Sequence, residues 1–285
     1  MENVIELQHI QKYFNGFQIK DFSIHVKKGF VTGFIGGNGA GKSTTIKMIM
    51  NLLQQDSGTI SIFGKSYKRH EKEIKERIGF VYDENIFYEN ITLKDMKKII
   101  KPAYRRWNDK AFQHYVEQFE LPLNKNMKTF SKGMKMKASL AIALAHQAEL
   151  IIMDEPTSGL DPIFRRELLN ILHELMQDGD KTIFFSTHIT TDLDRIADYI
   201  TFIHNGEHIF TKEFYKIQEE YAIVKGSLDL LDRETEQEFV AVRKTNRGFE
   251  ALTANKHRAA TIFGDTVVVE KPTLEDIMYY TKKGW

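Results

Sequence analysis

The 285-residue chain has no cysteine, which excludes a disulfide framework, thiolate metal sites and cysteine nucleophiles, and suits a reducing compartment. Only 5 prolines and 18 glycines occur, too few for a collagen-like, disordered or linker-dominated protein. Charge of one sign is missing as well. Forty Lys and Arg against 39 Asp and Glu leave a formal charge of +1, so no global field draws the chain to nucleic acid, and any bound anion needs a local site. Apolar runs such as Leu140 to Ala145 are short, far below the roughly 18–20 residues that span a bilayer. The start, MENVIELQHI, carries two acids and no signal-like apolar stretch, which predicts a cytoplasmic chain whose work at a membrane, if any, passes through a partner.

What is present is alternation. Val4, Ile5, Leu7 and Ile10, a turn at Asn15-Gly16, then Phe17, Ile19, Phe22, Ile24 and Val26 predict an antiparallel sheet. Phe30 to Ile35 reads as a buried strand, followed by a glycine-rich turn and a helix over Thr44 to Leu53. A strand over Ile78 to Tyr82 and a charged helical insert from about 84 to 136 follow. Residues 68 to 137 carry 17 Lys and Arg against 10 Asp and Glu; a solvated face is the simpler reading, a surface near an anionic membrane or membrane partner the other. Strands at Leu150 to Met153, Lys181 to Ser186 and Tyr199 to His204, separated by a helix over Phe164 to Met176, imply a mainly parallel core sheet. The expectation is an α/β domain over 1–212. A small α+β appendage over 213–285 has a helix at Phe214 to Glu220, strands at Ala222 to Lys225, Phe239 to Arg243 and Thr266 to Glu270, and a helix over Thr273 to Thr281.

Gly36-Gly37-Asn38-Gly39-Ala40-Gly41-Lys42-Ser43 fits G-x-x-x-x-G-K-[ST] between a strand and a helix. Glycines let backbone N–H groups converge on phosphate oxygens, the helix N-terminus adds positive potential, Lys42 reaches the β and γ phosphates, and Ser43 can ligate Mg²⁺. Leu150-Ile151-Ile152-Met153 runs into Asp154 and Glu155, so both carboxylates emerge at the C-terminal edge of a strand, where α/β sites lie. A buried strand ending in acids is common by itself. Beside a phosphate loop it assigns Asp154 to the Mg²⁺ and its water shell, and Glu155 to the attacking water.

Between and beyond these lie Phe130-Ser131-Lys132-Gly133-Met134, Ser158-Gly159-Leu160-Asp161 and Ser186-Thr187-His188. In that order, over roughly residues 2 to 210, the motifs resemble the ATP-binding subunits of ABC transporters. The resemblance implies a P-loop ABC ATPase domain with an N-terminal antiparallel β-subdomain, and ATP and Mg²⁺ as its ligands. It implies Phe14 stacked on adenine, Thr44 beside Ser43 in the phosphate cradle, Ser131 and Gly133 as the signature that closes on the γ-phosphate, Ser158 and Asp161 in the D-loop, and His188 as the switch histidine. The bland alternative for Phe14 is a core position. Two departures stand out: Lys132 and Met134 replace the first Gly and the Gln of L-S-G-G-Q, which is expected to alter nucleotide-ribose contacts, and Asp83 aligns with the Q-loop glutamine, where an aspartate can accept a water or approach Mg²⁺ but cannot donate, with the register to Glu84 open by one residue.

Because one chain carries one P-loop and one signature, the resemblance also implies a head-to-tail dimer, homomeric or heteromeric, working on an integral-membrane permease with no nucleic-acid partner. The signature and the tail Pro272-Thr273-Leu274-Glu275-Asp276-Ile277 resemble bacterial ABC-2-type exporters of drugs, lantibiotics and amphipathic peptides. An ABC importer ATPase and a soluble, non-transport ABC protein are the alternatives. The appendage is expected to be a structural dimerisation element or a regulator.

Overall fold

The computed structural model describes residues 2–81, 90–177 and 179–283. They form two compact units, Met1–Thr211 and Lys212–Trp285.

The alternating N-terminus builds a three-stranded sheet in the order β2-β1-β4, from β1 (Asn3–Phe14), β2 (Phe17–Lys27) and β4 (Ser57–Ile62). Both β1 pairings are antiparallel, as the alternation predicts. Its inward residues, Ile5, Leu7, Ile10, Ile19 and Phe22, are buried in one core with Phe34, Ile46 and Phe184.

The second sheet has six strands in the order β5-β6-β7-β3-β8-β9. These are β3 (Val31–Ile35), β5 (Ile78–Val81), β6 (Leu150–Asp154), β7 (Thr182–Thr187), β8 (Tyr199–His204) and β9 (Glu207–Glu213). Every residue of β3, β6 and β7 is buried, the pattern of a sheet covered on both faces. Parallel pairing of β3 with β7 and β8, and of β6 with β5 and β7, brings the C-terminal ends of β3, β6 and β7 to one edge. The sequence reading stops at Gly206 and misses β9. Its signal was there: Asn205 at φ 47° and Gly206 at φ 77° form the left-handed pair that closes a tight turn from β8 into β9.

The helices of this unit are α1 (Lys42–Ile49), α2 (Tyr67–Glu76), α3 (Leu93–Ile100), α4 (Asp109–Gln118), α5 (Lys132–Ala145), α6 (Pro162–Met176) and the short α7 (Leu193–Ile196). In the insert, Thr92 and Asn108 cap α3 and α4 by accepting from the backbone N–H of Asp95 and Ala111. Several of the insert's cations are paired, Lys97 and Lys101 with Asp109 and Lys98 with Asp95 within it, and Arg106 with Glu149 beyond it; Lys137, just past it, pairs with Glu167.

The second unit contains α8 (Phe214–Glu220), β10 (Ala222–Gly226), α9 (Arg233–Glu236), β11 (Ala241–Thr245), β12 (Gly248–Thr253), α10 (Lys256–Phe263), β13 (Val268–Glu270) and α11 (Leu274–Lys283). Its sheet is antiparallel in the order β11-β12-β10-β13, over a core of Val224, Phe249, Ala251, Ala259 and Phe263. The sequence reading places β11 two residues early and omits β12 and α10. The β11–β12 turn runs through Asn246-Arg247, without the Asn-Gly or Asp-Gly pair that marks a hairpin in sequence.

Candidate functional site

The phosphate loop leaves β3 and enters α1 through two glycines in left-handed backbone, Gly39 at φ 78° and Gly41 at φ 113°. A side chain is strained at either angle, which is why the loop needs glycine there. Gly41 is the N-cap of α1, and no acid occupies the first turn, so the helix presents its positive end uncompensated. Asn38, Gly39, Gly41, Lys42, Ser43 and Thr44 line a cleft of about 490 Å³ together with Phe17, Glu155, Ser158 and His188. Gly36 and Ala40 support the loop from behind. A Cβ on Gly36 would meet the Ile203 carbonyl at 2.5 Å, and the Ala40 carbonyl accepts from Gly206 N–H at 2.9 Å.

Lys42 is the central cation. Its side chain is 6% exposed, donates to the Gly36 carbonyl at 2.8 Å and pairs with Glu155 Oε1 at 3.1 Å. A lysine this buried requires a counter-charge, and here the loop and Glu155 supply it. Glu155 has a left-handed backbone, φ 47°, uncommon for a non-glycine residue and concentrated at functional sites. Its other oxygen, Oε2, accepts from His188 N–H at 3.2 Å and lies 2.7 Å from His188 Nδ1. Lys42, Glu155 and His188 therefore form one connected chain. The adjacent Asp154 is buried and accepts from Ser186 Oγ at 2.6 Å, while Glu155 N–H donates to the same Oγ at 3.0 Å, so one serine sets both acids.

Three other expectations have different addresses. Phe14 is 45% exposed, not a core residue, and stacks on Phe17 with ring centroids 6.3 Å apart; Phe17 is the ring that lines the cleft, and the sequence reading missed that. Ser131 caps α5, accepting from Met134 N–H at 3.2 Å, and Gly133 faces Phe164, where a Cβ would lie 2.7 Å from the ring. Neither lines the cleft of its own chain. Asp161 caps α6 by accepting from Ile163 and Phe164 N–H at 3.1 and 3.0 Å. Asp83 lies outside the described residues.

Size alone does not select this cleft. Another of about 500 Å³, lined by Met48, Asn51, Tyr67 and Glu71, holds one acid, and Asn51 and Lys75 already occupy that acid. Only the first combines a glycine loop, a buried lysine, an acid and a histidine. For Mg²⁺ the residues offered are hard oxygens, the Ser43 hydroxyl and the Asp154 carboxylate, and no group of three acidic or histidine ligands occurs among the described residues. That sparse set fits Mg²⁺, which takes one or two protein oxygens and completes its shell from substrate phosphates and water.

Known proteins give the same reading. The ABC transporter family profile matches residues 19–158. The bacitracin transport ATP-binding protein BcrA of Bacillus licheniformis is 37% identical over 212 residues, covering 73% of this chain and 69% of the relative. The lantibiotic transport ATP-binding protein SrtF of Streptococcus pyogenes is 32% identical over 222 residues, covering 74% and 91%. A solved ATP-binding subunit of an ABC transporter superposes with a TM-score of 0.68 at 29% identity, over 76% of this chain and 92% of that one. With its phosphate loop, acidic strand end and His188 in one cleft, this chain belongs to the ATP-binding subunits of the ABC transporter family.

Proposed function

We propose that the chain hydrolyses ATP to power a separate membrane subunit that exports an amphipathic peptide, lantibiotic or drug. The observation that carries the chemistry is the connected set Lys42, Glu155 and His188 at the mouth of the phosphate loop. The names of the relatives, transporters of bacitracin and of a lantibiotic, support the cargo class.

On ATP binding, Lys42 exchanges the Gly36 carbonyl and Glu155 for the β and γ phosphate oxygens, and the N–H groups at the start of α1 take the rest. Freed from Lys42, Glu155 orients and polarises the attacking water. His188, held through Glu155, donates to the γ-phosphate. Ser43 and Asp154 would hold Mg²⁺, which would supply charge neutralisation at the phosphates; catalysis is then mainly positioning and electrostatic stabilisation. The Ser131–Gly133 turn sits outside its own cleft, which supports a role in capping the nucleotide of a second subunit, so that two chains complete two sites head to tail.

No helix among the described residues is long and apolar enough to cross a membrane. The relatives named as transport ATP-binding proteins support a cargo path through a separate integral-membrane permease, with this chain on its cytoplasmic face. The unit from about 213 onward acts as an accessory or dimerisation element. Everted vesicles carrying the chain and its permease are expected to accumulate a bacitracin-class peptide when given ATP. Uptake in the opposite direction, dependent on a separate substrate-binding protein, would make the system an importer instead.

A further inference from the structure

Two arms leave the catalytic edge of the core sheet. One runs from Ser158, in the cleft, through Asp161 into α6; the other runs from His188 through the turn Thr190–Asp192 into α7. They meet away from the cleft. Arg165, one turn into α6, donates from Nε to Asp192 Oδ1 at 2.5 Å and from Nη2 to Thr191 Oγ1 at 2.8 Å. The Asp192 side chain is 2% exposed, and its second oxygen, Oδ2, is buried with no hydrogen-bond partner. Among the described residues Arg165 is the one cation paired with this carboxylate.

A buried carboxylate with a single counter-charge does not tolerate separation from it, because the uncompensated charge would remain in a low-dielectric interior. The rigid guanidinium fork also fixes direction, which a lysine would not. The two arms must therefore move together. Phe164, next to Arg165, packs its ring where a Cβ on Gly133 would lie, 2.7 Å away, so the first turn of α6 also abuts the signature turn at the start of α5. Glu155 thus bonds to His188, the chain from His188 leads through the 190–192 turn to Asp192, Asp192 pairs with Arg165, and Phe164, the next residue on α6, packs against Gly133.

We propose that the Arg165–Asp192 pair is a positioning strut that ties the switch-histidine turn to the loop and helix leading to the signature, so that loading of the cleft is passed to the surface that caps a second nucleotide. This rests on the ATPase reading above. Neither residue lines the cleft, so nucleotide affinity and turnover should separate.

The test measures ATP affinity, KM, kcat and Tm for wild type, Asp192→Asn, Arg165→Gln, Arg165→Lys, the double variant Arg165→Gln/Asp192→Asn, and Glu155→Gln as a reference. Each charge-removing single variant is expected to lower kcat about tenfold with ATP affinity within about twofold, and the double variant to fall no further than either single one. Arg165→Lys should recover part of kcat. Wild-type kcat in both single variants would overturn the strut. So would a parallel loss of affinity, kcat and Tm that adds in the double variant, since that is a merely structural role. Arg165 is about a quarter exposed and its removal is the milder change; should Asp192→Asn not fold, kcat of Arg165→Gln decides by itself. Turnover absent from wild type overturns the ATPase reading and the strut with it, whereas turnover that Glu155→Gln abolishes and the strut variants leave intact overturns the strut alone.

Discussion

The units Met1–Thr211 and Lys212–Trp285 both pack helices on a sheet, yet they bury different chemistry. The first buries Lys42, His146, Asp154 and Asp192. In the second the buried polar residues are threonines, Thr253 and Thr281, and its charges pair at the surface, as in Lys225–Glu270, Lys244–Glu236 and Arg258–Glu238. Burying a charge is unfavourable without a partner, so a unit that does so at Lys42, Asp154 and Asp192 has a use for those groups. The second unit buries no charged side chain among its described residues.

The largest effect expected from this contrast lies in the second unit. Phe249→Ala removes a ring packed on Phe239 and Phe263 and should destabilise that unit by about 3–5 kcal/mol, read by denaturant unfolding, while nucleotide affinity stays at the wild-type value. A matching loss of ATP affinity would break the separation. In the first unit, Lys42→Ala removes charge-assisted bonds to phosphate worth about 1.5–3 kcal/mol, so ATP affinity by titration calorimetry should fall on the order of a hundredfold.

A third contrast concerns pH. His146 is 1% exposed, its ring stacks on Tyr104 at 3.9 Å, and burial pushes its pKa from 6.5 down to about 4. Its folded pKa lies below the unfolded value, so between those values the unfolded chain binds the proton and the folded chain does not. The contribution is complete above about pH 6.5 and declines as pH falls towards 4, with on the order of 2 kcal/mol already lost at pH 5. Unfolding midpoints of the first unit at pH 7.5 and 5 should converge when His146 is replaced by Gln; an unchanged gap would assign the limb elsewhere. The smallest effect separates two neighbouring rings. Phe17→Ala should raise KM for ATP about tenfold, as loss of a base-stacking surface does, and Phe14→Ala should raise it less; the reverse order would return the adenine platform to Phe14.

The phosphate loop was legible because its glycines serve local backbone geometry, which a short string of letters specifies. The strand ending at Asp154 and Glu155 was legible for a similar reason, since a fully buried parallel strand is continuously apolar. Other features depend on contacts distant in sequence. Phe17 reaches the cleft only because β2 folds back on β1 and leaves its ring beside Gly41, whose Cβ position lies 3.1 Å from that ring. Ser186 controls both acids from another strand, through a parallel register that places it opposite Asp154. In the second unit β10 was legible at Ala222, whereas β11 was shifted and β12 missed because pairing with a neighbour, more than their own sequence, decides where they begin.

The central claim is that Glu155, held between Lys42 and His188, acts on the water that attacks ATP. ATP hydrolysis and ATP binding by Glu155→Gln, compared with wild type and followed by size-exclusion chromatography with and without ATP, test it most directly. The account predicts turnover lowered at least about a hundredfold, ATP still bound, and a dimer trapped by ATP. A variant that hydrolyses ATP at the wild-type rate would contradict it.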